Sequence, residues 1–236
     1  RICEGIPMQN AGEIRRRINI NRSEFCEYLN GVPGTTYGDI LNVIILNAAK
    51  ISRSYYAGVY DASNPTRPKC WSVDTSEPAP EVKQEDRQAN RCMDCAQNIK
   101  GSGAGTSRAC RFAQRVAVAL EGDFTKVYQL QLPATSLFGK AQGGKMPMQA
   151  YARYLSSHDT PAISVVTECT FDLESPVPKL FFKAIRPLLQ EEVSLAASLS
   201  ESEETREAIA MPTSMPLKGS IFAEVDGFVY DSTNAN

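Results

Sequence analysis

Four of the seven cysteines of this 236-residue chain fall between residues 70 and 110: Cys70, Cys92, Cys95 and Cys110. Cys92-Met-Asp-Cys95 has the two-residue spacing that lets both thiolates of one turn reach a tetrahedral ion. Fourteen residues separate Cys95 from Cys110 and twenty-one separate Cys70 from Cys92. Two ligands on one turn, with two more brought in from flanking segments, is the pattern of a ribbon-like zinc site with four sulfur donors. A closed site of that kind has no open position for water, so its expected role is structural. Two other readings stay open on the residues alone. Disulfides need an oxidising compartment, and seven is an odd number. A redox Cys-x-x-Cys pair needs a βαβ setting, which the surrounding pattern does not offer. Cys169 lies in an expected strand and reads as a buried core thiol. Cys3 and Cys26 have no assigned role.

No other constellation predicts catalysis. The sole histidine, His158, ends an expected helix beside Asp159, where the helix dipole favours a cation. Gly101-Ser-Gly-Ala-Gly105 lacks the Gly-Lys-Ser/Thr ending of a phosphate cradle. Asp172 and Glu174 flank a turn and read as solvated. The expectation is a protein that is not an enzyme, since a site must be argued from its residues.

Cations and flat rings are what a single-stranded nucleic acid requires. The candidates are Arg53, Tyr55, Tyr56 and Tyr60; Lys100, Arg108, Arg111 and Arg115 around the cysteines; and Phe138, Lys140 and Lys145 in the glycine-containing segment 137–145. The bland account keeps the tyrosines in the core and the lysines merely solvated. Charge is uneven along the chain. Residues 100–186 carry 11 basic and 6 acidic side chains, whereas residues 187–236 carry 2 basic and 9 acidic. A basic middle and an acidic end suit a polyanion surface and a tail that competes for it, or simply a solvated acidic terminus.

The elements that must position these residues are mostly short strands. Composition is that of an ordinary globular chain, 42% apolar and 22% charged. No stretch approaches about 18 uninterrupted apolar residues, so no membrane helix is expected, and no secretory leader is evident. Residues 1–38 read as an N-terminal arm with a basic cluster at Arg15–Arg17 and a short helix from Ser23 through Leu29. Ile40–Leu46 and Arg53–Tyr60 read as a hairpin, and residues 61–91 as a long Pro-rich loop. Arg115–Leu120 and Val127–Leu132 form a second hairpin about Glu121-Gly122-Asp123. Pro147–Ser157 reads as a helix with Met148, Tyr151, Ala152 and Leu155 on one face. Ile163–Phe171 and Lys179–Ile185 are strands. Leu188–Leu199 and Ser200–Ala210 read as acidic helices, with weak strand character at 221–229.

This string predicts a mainly β (α+β) chain: an OB-like antiparallel barrel with one helix before its last strands. Its expected domains are the arm at 1–38, the barrel at 39–186 with a zinc-binding insertion at 62–112, and an acidic helical segment at 187–236. A generic α+β sandwich fits the same string.

The segments Lys69-Cys-Trp-Ser72, Cys92–Gly103, Ser107–Phe112, Leu132–Lys140 and Pro178–Lys183 resemble a family of bacteriophage-encoded proteins, over about residues 40–190. The resemblance implies an OB-like domain with Cys70, Cys92, Cys95 and Cys110 as ligands of a structural Zn2+. It implies single-stranded DNA binding in phage replication or recombination, in the cytoplasm of the infected bacterial host. Expected partners are single-stranded DNA and, through the acidic C-terminal segment, phage replication proteins, with no membrane and with homo-oligomerisation left open. The chain ends Thr233-Asn-Ala-Asn236, without the terminal aromatic of such tails. The competing expectation is a zinc-stabilised, non-enzymatic phage assembly or protein-interaction factor.

Overall fold

The computed structural model describes residues 16–21, 23–58 and 68–211. In chain order the strands are β1 (Arg16–Asn21), β2 (Glu24–Leu29), β3 (Val32–Gly38), β4 (Ile40–Ala48), β5 (Ser52–Tyr55), β6 (Cys70–Ser72), β7 (Cys110–Leu120), β8 (Asp123–Pro133), β9 (Val165–Phe171) and β10 (Leu180–Pro187). The helices are α1 (Ala134–Leu137), α2 (Met148–Ser157), α3 (Gln190–Ser200) and α4 (Glu203–Ile209). The chain divides into two compact units: the segment up to Ala49 together with Gln114–Ala210, and the segment Lys50–Ala113.

The first unit is mainly β. Its strands lie in the order β10-β9-β4-β7-β8-β1-β2-β3, with the Gln114–Leu120 part of β7 in this sheet. β1 runs antiparallel to β2 and parallel to β8, pairing Arg17 with Gln129 and Ile18 with Leu130. Phe25 of β2 meets Phe171 of β9 with ring centroids 4.7 Å apart. Four strands lie between those two in the sheet order, so the contact requires the sheet to curl strongly on itself. On one face, Ile44, Leu46, Ala117, Ala119, Val127 and Val166 form an apolar floor with Leu188 and Ala196, and Leu199, Ala208 and Ile209 of the C-terminal helices pack against it. On α2, Met148, Tyr151 and Leu155 are buried, as their spacing predicts. The Tyr151 hydroxyl and Thr167 Oγ1 lie 2.8 Å apart, and Tyr151 stacks on Phe182 at 6.2 Å between centroids.

Three expectations are corrected here. Residues 24–29 form a strand, not a helix. Asn30-Gly31 closes β2 onto β3 with φ of 52° and 80°, the left-handed pair that a two-residue hairpin turn demands. The tight connection selects strand over helix at a segment whose propensity is weak either way. Residues 16–38 are thus three strands of the first unit, not an arm. Nor is Ile40–Leu46 the hairpin partner of the following tyrosine segment: β4 pairs with β7 and β9, whereas β5 pairs with β6 and β7. The second unit spans 50–113, and Ala196, Leu199, Ala208 and Ile209 of α3 and α4 pack on the apolar face of the first. Tyr60 and the expected strand at 221–229 lie outside the described residues. So does Cys3. Cys26 is disulfide-bonded.

Candidate metal centre and nucleic-acid surface

In the second unit β5 lies between β6 and the first residues of β7. Tyr55 is registered against Cys70 on one side and Cys110 on the other. Residues paired directly across a sheet point to the same face, so the two thiols rise from one surface with Tyr55 between them. The same logic two residues back places Arg53 between Ser72 and Phe112, again on that face.

The Cys-x-x-Cys turn supplies the other pair. Cys92–Asp94 is a single 3-10 turn, and the Cys95 N–H donates to the Cys92 carbonyl at 3.4 Å. Backbone and side chain anchor it: Cys92 N–H donates to Ser76 O at 2.9 Å, Asn98 Nδ2 to Cys92 O at 3.2 Å, and Asn98 N–H to Cys95 O at 2.9 Å. All four thiols are free, buried, and line one cavity together with Arg53, Tyr55, Trp71, Ser72 and Gln88.

Burial pushes the Cys70, Cys92 and Cys110 thiols up, the last to about 12, and the neighbouring cysteines push them further. Opposing this are groups that favour thiolates. The Gln88 backbone N–H reaches Cys70, the Ser72 hydroxyl reaches Cys92, Arg53 acts on Cys92 and Cys110, and Arg87 acts on Cys70. Four soft donors in one buried cavity, with N–H, O–H and cationic groups turned to them, match the chemistry of a thiolate metal site. Among the described residues, however, no three His, Cys, Asp or Glu side chains stand as a formed metal-binding group.

The structure sorts the expected nucleic-acid residues into three groups. Phe138, Lys140 and Lys145 are exposed, in the segment joining α1 to α2. A bridge between Gln142 and Lys145 closes its tip, where Gly143 and Gly144 take φ of 55° and 80°. Lys100 is exposed too, as is Arg108, whose Nε donates to Asn98 O at 2.7 Å. Arg53, Tyr55, Tyr56 and Arg111 are half-buried. Arg53 and Tyr55 turn to the thiol cavity, and the Tyr56 hydroxyl is buried. Arg115 is only 2% exposed and cannot reach a phosphate in this conformation. Its Nε donates to the Ile209 carbonyl at the end of α4, at 3.1 Å. Sequence reasoning missed Arg87 and Gln88, which sit in the Pro-rich stretch with no periodicity to mark them. Ser72 was legible as a neighbour of Cys70, two residues along a strand and so on its face.

His158 closes α2, with Nδ1 2.8 Å from the Tyr154 carbonyl and its ring 4.4 Å from that of Tyr154. Among the described residues no helix is long and apolar enough to cross a membrane. No family model, curated protein or solved structure matches this chain.

Proposed function

We propose that the chain is a single-stranded DNA-binding protein serving phage replication or recombination, with an OB-like curled sheet as its scaffold and a structural zinc ion held by Cys70, Cys92, Cys95 and Cys110. The metal adds folding energy to the second unit and takes part in no reaction; the chain is not an enzyme. The observation that carries the DNA reading is the exposed segment 138–145. Lys140 and Lys145 make no ion pair among the described residues, and Phe138 is 44% exposed on the same segment. An aromatic ring offers a stacking face for any base, and unpaired lysines offer charge to phosphates. Lys100 and Arg108 give the second unit exposed cations of its own. The curled, mainly β sheet with α2 ahead of β9 and β10 supports the OB-like reading without deciding it.

Fluorescence anisotropy with a labelled oligothymidine at two salt concentrations tests the proposal. Affinity falls steeply with salt, and the Lys140→Glu/Lys145→Glu double variant flattens the log–log slope by about 1.4, two single-strand phosphate contacts at about 0.7 each. No binding at low salt sinks the reading. A second reading, an interaction factor, is favoured by Leu189, Val193 and Leu195, which are 58%, 41% and 50% exposed along α3 and its start. A stable, nucleic-acid-free oligomer on size-exclusion chromatography distinguishes it.

A further inference from the structure

Arg53 is a cation in a place where cations need an anion. Its Nε and Nη1 are buried and have no hydrogen-bond partner, and it forms no ion pair with a carboxylate among the described residues. Guanidinium N–H groups buried without acceptors lose their bonds to water and gain nothing in return, so buried charges are found paired. Two contacts hold the group in place: its carbon sits 4.1 Å over the Phe112 ring, and its strand registers it between Ser72 and Phe112. A ring face fixes the guanidinium plane but accepts no ordinary hydrogen bond. The wall it helps to form is the cavity lined by Cys70, Cys92, Cys95 and Cys110.

The missing anion follows from the donor set. A divalent ion with four thiolates carries a net charge of about −2, delocalised over four sulfur acceptors. Such a centre in a buried cavity needs donors and positive charge around it as much as Arg53 needs acceptors. Resting on the metal reading above, we propose that Arg53 is the built-in counter-ion of the cysteine site, its buried N–H groups donating to thiolate sulfur once the metal is bound. This moves Arg53 from the DNA surface, where its position two residues before the tyrosine pair suggests it belongs, to the shell around the metal. It is a positioning and charge-balancing residue, not a ligand.

The test uses the full chain and zinc itself. Zinc affinity is measured by competition with a chromophoric chelator for wild type, Arg53→Met, Arg53→Gln and Arg53→Lys. Cobalt(II) substitution reports coordination through its thiolate charge-transfer band. Arg53→Met and Arg53→Gln are expected to bind zinc about 10–100-fold more weakly while showing the wild-type four-thiolate cobalt spectrum at saturation, which establishes that they fold. Arg53→Lys recovers part of the loss, since it keeps the charge but not the planar fork. Zinc affinity within twofold of wild type in both neutral variants overturns the proposal. So does a loss of oligonucleotide affinity in those variants with zinc affinity unchanged, which returns Arg53 to DNA. A wild-type chain that takes up neither zinc nor cobalt removes the metal reading itself, an outcome visible in the wild-type arm alone.

Discussion

If the four thiols hold zinc as proposed, removing it should unfold the second unit and leave the first standing, and the chain carries its own reporter. Trp71 is the only tryptophan, and it lines the thiol cavity directly after Cys70. The apolar core around it is small. Cys70, Ala79 and Val82 are its buried members, with Tyr55 and Trp71 packed against them. Full burial of those three side chains contributes on the order of 4 kcal/mol. On the metal reading proposed above, zinc at about a thousand times its dissociation constant would add about 4 kcal/mol, as much again as those side chains. A metal contribution as large as that of the apolar core means that order in this unit should follow the metal. Addition of a strong chelator is expected to shift Trp71 emission to the red, while the far-UV β signal, dominated by the first unit, persists. In urea, the chelated chain should lose its Trp71 signal well before its β signal, and zinc at about a thousand times its dissociation constant should restore about 4 kcal/mol. Cys110→Ser should resemble the chelated wild type even with zinc present. Identical Trp71 emission and urea midpoint with and without chelator would refute the reasoning, because it would show that the small core suffices.

Other predictions concern the first unit. Glu192 is held well below the usual carboxylate range, at about 2, first by its paired bonds to Arg186 (2.7 and 2.9 Å) and then by the Leu189 N–H at 2.8 Å. A depressed folded-state value means the stabilisation is complete above about pH 4.5 and is lost as pH falls toward about 2. The stability gap between wild type and Glu192→Gln, read by urea unfolding, should therefore be constant near neutrality and close across that acid window; a gap that does not change with pH refutes it. Phe25→Ala removes a ring that is 0% exposed and in contact with Phe171, and should cost about 3–5 kcal/mol; a loss under about 1 kcal/mol would mean that the sheet does not curl as described. Gly31→Ala forces a Cβ into φ of 80° and should cost about 1–2 kcal/mol in the same assay, without altering metal uptake.

How far the sequence reveals such a molecule depends on whether a signal is local. The α2 face is legible because Met148, Tyr151 and Leu155 repeat at helical spacing and Pro147 marks the start. The 121–123 turn is legible because glycine is needed there: Gly122 sits at φ of 82°. Asn30-Gly31 is just as local a signal, and read on its own terms it would have turned the supposed Ser23–Leu29 helix into strands. Strand partnership is a different matter. Nothing in Ile40–Ala48 says that its neighbours are residues 116–120 and 167–170 and not the tyrosines that follow, because the alternatives differ only in contacts made far away in sequence.

The thiol site divides along the same line. The types and spacing of its cysteines are local and legible, while the groups that balance their charge are not. Arg87 and Gln88 come from a stretch without period, and Arg53 and Arg115 look alike in sequence, each an arginine in a β-rich segment. Position separates them. Arg115 is buried in the first unit, drawn down to about 10 by desolvation, and bonded to the carbonyl that ends α4, a favourable place for a cation at a helix C-terminus. Arg53 has a ring beneath it and thiols before it, and no acceptor yet. Each arginine keeps a buried guanidinium nitrogen without a hydrogen-bond partner, but only Arg53 lines the cavity of the four thiols, which is why metal affinity, on the proposal above, is the quantity that should respond to its loss.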